Sequence, residues 1–350
     1  MEAVPEAPVA KKEISLVGKI VLILLMGGLS MFFAEVLSGS SVLWFLQPWG
    51  WLVTLPLYMF HTLLLLNLAL IFKRRSLSSL YLWGVIFGLY EAWITKVVWA
   101  GYMGQAPAVG TFMGFAIFEA PLIVLFWHPV MSFILPILTF QVLSGEKSLL
   151  PGHIQILGKN RTNWAIFLFI MIIGASSLAM NSKYSIISTV LTLVGSIIFI
   201  LLFYWIATKK YAPQFSIRSL RLGKVGLAIT ILYMFVLYFG AFFYLLPERT
   251  PKWPTLLLTL CVYALIIALL WLKKPDTEAE AQTGTVFNIK DAGILFGILL
   301  VLGIVFCLVP SVSYILELCL YILIFTLGPL LFGYAVVRVL KERFVKPAVH

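Results

Sequence analysis

Ten apolar stretches, each about as long as a helix needs to cross a bilayer, run through this chain and leave little room for anything else. A hydrocarbon core of about 30 Å takes about 20 residues at a rise of about 1.5 Å each. Within it, a single segment satisfies its own backbone N–H and C=O groups only as a helix. The stretches lie near 17–38, 50–72, 79–101, 110–143, 163–180, 184–208, 223–246, 254–272, 291–309 and 313–337. The expected fold is all-α: a polytopic membrane helix bundle of about ten transmembrane helices. Composition excludes the alternatives. Of 350 residues, 62% are apolar and 11% charged, whereas a soluble domain is about a quarter charged and a disordered chain more polar still. No polar stretch is long enough for a soluble catalytic domain, so any chemistry belongs to residues in the bilayer or in short loops.

Basic residues set the orientation, because Lys and Arg collect in the loops on the cytoplasmic side. With both termini cytoplasmic, Lys183, Arg249 and Lys252 fall outside and Lys96 falls within a span; the other 21 of the 25 basic residues fall inside. The net charge of +11 is thus a topology signal, and nucleic acid is not an expected partner. The expected location is the cell membrane, multi-pass. The fourth stretch, with Pro121, Pro129 and Pro136, reads as one kinked span, since splitting it reverses every later loop. The division expected is a cytoplasmic tail (1–16), a four-helix unit (17–143), a cytoplasmic loop (144–162), a six-helix bundle (163–337) with a mobile loop at 273–290, and a basic tail (338–350). The first span follows no small-residue cleavage site and reads as a retained helix. Cys261, Cys307 and Cys319 all lie in apolar runs and read as packing residues. The uncharged loop with Trp44, Trp49 and Trp51 reads as an interfacial aromatic belt.

Ionisable groups inside a membrane are costly, on the order of 3 kcal/mol at the centre on insertion scales, and each needs a reason. Spans one to four hold Glu35, His61, Glu91, Lys96, Glu119 and His128; spans five to ten add only Glu317, near an outer end where snorkelling suffices. The working site is therefore expected in 17–143. Rise per residue places His61 about 17 Å and Glu119 about 14 Å from the outer face, and Glu91 about 18 Å from the inner face. These three share a layer near the midplane, with His128 toward the inner side and Glu35 toward the outer. Thr54, Tyr58 and His61 form a polar stripe on span two, and Gly84, Gly88, Glu91 and Thr95 a strip on span three narrow enough for close helix approach. Lys96, about 140° around the helix from Glu91, flanks a groove with it. The expected catalytic groups are Glu91, Glu119, His61 and Lys96, with Tyr58, Thr95, Glu35 and His128 as substrate-binding candidates. No phosphate loop, nucleotide fingerprint or His-Glu-x-x-His zinc spacing is present, so no cofactor or metal is expected.

Span three reads FGLYEAWITKVVWAGY, and twenty-four residues after Glu91 comes FAIFE, from Phe115 to Glu119. These thirty residues resemble the first two motifs of the CPBP and PrsW-type membrane glutamic endopeptidases, which include the CAAX prenyl proteases. Glu91 and Lys96 take the Glu and Arg positions of the first motif, with Ala92 in place of its second Glu. Phe115 and Glu119 take the second motif, with Glu for His as in the PrsW-type branch. The third, His-x-x-x-Asn or Asp, is departed from, since His128 is followed by Ser132. The resemblance implies carboxylates that activate water against a peptide bond within the bilayer. The residues themselves leave three functions open: a membrane-embedded hydrolase acting on a lipid, isoprenoid or membrane peptide, a proton-coupled small-molecule carrier, and a non-catalytic assembly subunit.

Overall fold

The computed structural model describes residues 14–211 and 214–344; the tail residues 1–13 and 345–350, with Lys11, Lys12 and Lys346, lie outside them. In chain order the helices are α1 (Leu16–Val36), α2 (Gly50–Ile71), α3 (Leu77–Gly88), α4 (Glu119–Ser144), α5 (Arg161–Asn181), α6 (Ile186–Tyr211), α7 (Lys224–Tyr244), α8 (Trp253–Leu272), α9 (Ile289–Leu308) and α10 (Pro310–Phe344). All but α3 are long and apolar enough to cross a membrane. The chain is the polytopic all-α membrane bundle its apolar stretches imply. Local chemistry sets the starts: Ser15 accepts from the Gly18 N–H of α1 at 3.1 Å, Asn160 from the Asn163 N–H of α5 at 2.9 Å, and Asn288 caps α9 in a reciprocal pair with Asp291. Each satisfies donors that a helix N-terminus otherwise leaves bare.

Two spans depart from expectation. The third is broken. After α3 the chain continues as one turn, Tyr90–Trp93, and resumes as Val97–Ala100 past Lys96, whose φ of 61° is left-handed. Such a conformation costs a non-glycine residue about 1–3 kcal/mol, and tertiary bonds hold it. The Lys96 ammonium donates to the carbonyls of Ala241, at 3.2 Å, and Leu245, at the end of α7. In return Arg249, just past α7, donates to the carbonyls of Gly101, Tyr102 and Thr95. Each cation bonds carbonyls at the other element's end.

The fourth span starts at Glu119, nine residues later than expected. Residues before it form a hairpin, β1 (Thr111–Phe112) against β2 (Phe115–Ala116), turned at Met113 and Gly114, both at positive φ. Gly114 lies so close to α8 that an added Cβ would sit 2.1 Å from the Thr255 hydroxyl. From Glu119 on, α4 is one continuous helix that widens to π-helical pitch over Ile123–Ile134. Its inner prolines explain how it stays whole. Pro129 and Pro136 bring no backbone N–H to the helix, and two carbonyls close to them, those of Leu125 and Ser132, take side-chain donors. Tyr81 of α3 donates to Leu125 O at 2.7 Å, and Ser30 of α1 to Ser132 O at 2.8 Å. Neighbouring hydroxyls thus bond the helix backbone beside its prolines, a support that lets a membrane helix keep them.

The helices of 17–143 and those of 163–337 pack on one another. α4 is the hub, with 83% of its apolar window buried, against 17% for α7. Around it α1 packs on α2 and α6, α2 on α7, α3 on α8, and α4 on α10, so the later helices wrap the earlier ones. Of the loop tryptophans, Trp49 and Trp51 are exposed, but Trp44 is buried and donates to Ser196 of α6 at 3.0 Å.

The loop 273–290, expected to be mobile, is tied down. Asp276 accepts from the Arg75 and Ser76 N–H groups at 2.5 and 2.7 Å, where α3 begins, and pairs with Lys273 at 2.9 Å. Strand β4 (Glu280–Ala281) pairs antiparallel with β3 (Ser148–Leu149), and Lys159 N–H donates to Thr285 O at 2.8 Å. Burial alone would raise the Asp276 pKa, but the Ser76 N–H and Lys273 hold it below the usual aspartate value. Composition reads such a segment as a free loop; a helix N-terminus needing an anion makes it a cap.

Candidate functional site

Glycine brings the key helices together. An added Cβ on Gly84 would lie 2.5 Å from Pro129 Cα, and one on Gly88 2.9 Å from Val124 Cα, so α3 and α4 touch backbone to backbone along the strip expected. At the upper end of that contact Glu91 meets His128. The carboxylate Oε1 lies 3.1 Å from His128 Nε2, and His128 Nδ1 lies 2.8 Å from Ser132 Oγ, one turn further along α4. Thr95, in the break of span three, bonds the other carboxylate oxygen. With the ring neutral and its proton on Nε2, His128 donates to Glu91 and accepts from Ser132, and every group is satisfied. The pair lies deep, with 3% of the His128 side chain and 11% of Glu91 exposed, Glu91 being the more accessible of the two.

A second chain of hydrogen bonds runs beside it. Tyr58 donates to Glu35 Oε1 at 2.5 Å and shares a bond of 2.6 Å with the Tyr90 hydroxyl, while Ser41 donates to Glu35 Oε2 at 2.6 Å. Because the Tyr58 proton goes to Glu35, Tyr90 is the donor to Tyr58. The Tyr90 and Tyr58 rings pack on His128 at 4.9 and 6.2 Å between centroids. The second chain therefore runs from the Ser41 turn to the flank of the Glu91–His128 pair.

The other expected catalytic groups are held elsewhere. His61 is buried, but its Nδ1 bonds Leu57 O at 2.8 Å and its Nε2 the Tyr238 hydroxyl at 3.0 Å. Phe87 lies between it and His128, with centroids 4.9 and 5.5 Å away and near-parallel rings. Glu119, expected at mid-membrane, is instead the first residue of α4, where its Oε1 accepts from Ala108 N–H at 2.8 Å. Lys96 caps α7 and sits 5.9 Å over the Phe242 ring. Thus Glu91 meets His128 and Thr95, Glu35 meets Tyr58, and His61, Glu119 and Lys96 each serve a different neighbour.

Tyr90 and Ser132 are the participants that sequence reasoning passed over. Both carried a signal: a buried tyrosine hydroxyl needs a partner, and a serine four residues after a histidine shares its helix face. Among the described residues no third His, Cys, Asp or Glu joins Glu91 and His128 to make a metal-binding group.

Residues 24–348 match an uncharacterized membrane protein family, and the chain belongs to it. Over 119 residues, 33% of this chain, it is 43% identical to an uncharacterized protein of Archaeoglobus fulgidus. That alignment spans only 36% of the relative's length. No solved structure matches.

Proposed function

We propose that this family member is a membrane-embedded hydrolase in which Glu91, held by His128, is the general base and then the general acid, acting on a lipid, isoprenoid or membrane-peptide substrate. The observation that carries the reading is the 3.1 Å contact between Glu91 Oε1 and His128 Nε2, deep among apolar helices. Glu91, the more exposed member, takes a proton from a water molecule as the water oxygen attacks the scissile carbonyl, and then gives that proton to the leaving group; His128, donating Nε2–H to Glu91, holds the carboxylate in place and remains neutral throughout. General acid/base catalysis of this kind contributes about 10²–10⁴-fold. Ser132 and Thr95 orient the pair. The resemblance to membrane glutamic endopeptidases supports the role of Glu91. Ala92 at the second Glu position and the engagement of Glu119 with Ala108 set this chain apart, and His128 takes the partner's place.

The test is product formation by the reconstituted full chain against prenylated peptides, membrane-spanning peptides and phospholipids, read by mass spectrometry. Glu91→Gln and His128→Asn are each expected to lower turnover about 100-fold or more with unchanged thermal unfolding, and Glu119→Gln far less. Wild-type turnover in the first two variants would contradict the proposal.

One observation favours a second reading, a proton-coupled carrier: the Ser41–Glu35–Tyr58–Tyr90 line leads toward a buried carboxylate at a broken helix, an arrangement suited to ion passage. That reading expects proton flux into proteoliposomes that Glu35→Gln abolishes; the hydrolase reading expects none.

A further inference from the structure

Glu317 does not snorkel. It lies within the contact between α5 and α10, 1% exposed, and accepts from Ser177 Oγ at 2.5 Å. Its other oxygen, Oε2, has no hydrogen-bond partner among the described residues, nor do the hydroxyls of Ser176 and Ser313, both fully buried. Ser313 stands one turn before Glu317 on the same face of α10, and Ser176 and Tyr321 border the carboxylate. Among the described residues no Lys, Arg or His forms an ion pair with it. Buried polar atoms are almost always satisfied, and an unpartnered carboxylate oxygen together with two unpartnered hydroxyls on the same two helices is an unexplained concentration of acceptor capacity.

We infer that the α5–α10 contact binds a small hard monovalent cation, sodium, through the Glu317 carboxylate and the hydroxyls of Ser176, Ser177 and Ser313. Oxygen-only donors suit a hard cation. One carboxylate matches one positive charge and leaves the buried cluster neutral, whereas calcium calls for more oxygen ligands and more carboxylates. Glu317 is seven residues into α10, about 10 Å from the end of the helix opposite the basic loops, so the ion enters from that side. Asn181, at the end of α5, bonds Ser177 O at 3.1 Å and Ser38 O at 2.9 Å. Ser38 in turn donates to Glu35 O at 3.0 Å. Binding at Glu317 therefore firms the turn that carries Glu35 and Ser41. The inference is independent of the catalytic reading.

The experiment is thermal unfolding of the full chain in nanodiscs, followed by tryptophan fluorescence, in NaCl, KCl or choline chloride at fixed ionic strength. The melting temperature is expected to rise with sodium in a saturable way and not with choline; the potassium arm separates sodium selectivity from general monovalent binding. Ser313→Ala, which keeps the carboxylate, is expected to raise the half-effect concentration about tenfold, and Glu317→Gln to abolish the response. Identical melting of the wild type in all three salts would overturn the inference. A sodium response that survives in both variants would place the ion elsewhere and overturn it equally.

Discussion

At the scale of single residues, the same charge type does opposite work depending on what it touches. Lys96 looks like a site residue because it is a cation inside a span, yet its bonds go to the end of α7. Lys96→Met is expected to destabilise the protein by about 1–3 kcal/mol, the cost of leaving the Leu245 carbonyl unsatisfied, while turnover per folded molecule changes little. Equal loss of stability and turnover per folded molecule would return Lys96 to the site. His153, in the loop between α4 and α5, is fully buried on Gln141, and burial pushes its pKa from 6.5 down to about 3. The sign follows: below about pH 6.5 the opened loop takes up a proton that the closed loop refuses until about pH 3. Stability of this cap is therefore full above that window and falls by about 1.4 kcal/mol per pH unit as pH drops through it. Hydrogen exchange at 145–159 and 273–290 should accelerate toward acid pH, and His153→Gln should flatten that dependence.

At the scale of elements, the contact between α3 and α4 builds the site, and two kinds of change probe it. Gly84→Ala puts a methyl group 2.5 Å from Pro129 Cα and is expected to cost about 1–3 kcal/mol through the forced separation of the helices. Gly240→Ala on α7, where no atom lies within 4 Å, should be close to neutral, as differential scanning fluorimetry of both variants would show. Tyr81→Phe removes the donor to Leu125 O and should cost about 1–2 kcal/mol. These elements were unevenly legible. The continuous helices follow from apolar runs of bilayer length. The break in span three does not, because Ile94, Thr95 and Lys96 include neither Gly nor Pro and the break is held by Lys96 and Arg249 through α7. The start of α4 was hidden as well, since the hairpin residues before Glu119 are uncharged and read as membrane sequence.

At the scale of the whole molecule, that nine-residue shift explains why the site was half visible. A start at 110 rather than 119 displaces every position on α4 by about 14 Å, which set His128 toward the inner side and Glu119 at the midplane. With the observed start, His128 rises to meet Glu91 and Glu119 falls at the helix end. The concentration of polar groups in the first four spans was legible because charge inside a membrane is rare enough to stand out one residue at a time. Their pairing depends on helix breaks and π-helical pitch that no period reveals. The assembly that results is a buried hub whose polar core is wrapped by α6 to α10, with Glu35, Tyr58, Tyr90, Glu91 and His128 inside it. The most direct test needs no substrate. The chain has 4 histidines, and solid-state NMR of histidine labelled with nitrogen-15, with His128 assigned by difference, reads the Nε2 proton in the bilayer. Glu91→Gln should shift the His128 Nε2 resonance and leave those of His61 and His153 in place. A His128 signal indifferent to Glu91→Gln would contradict the pairing.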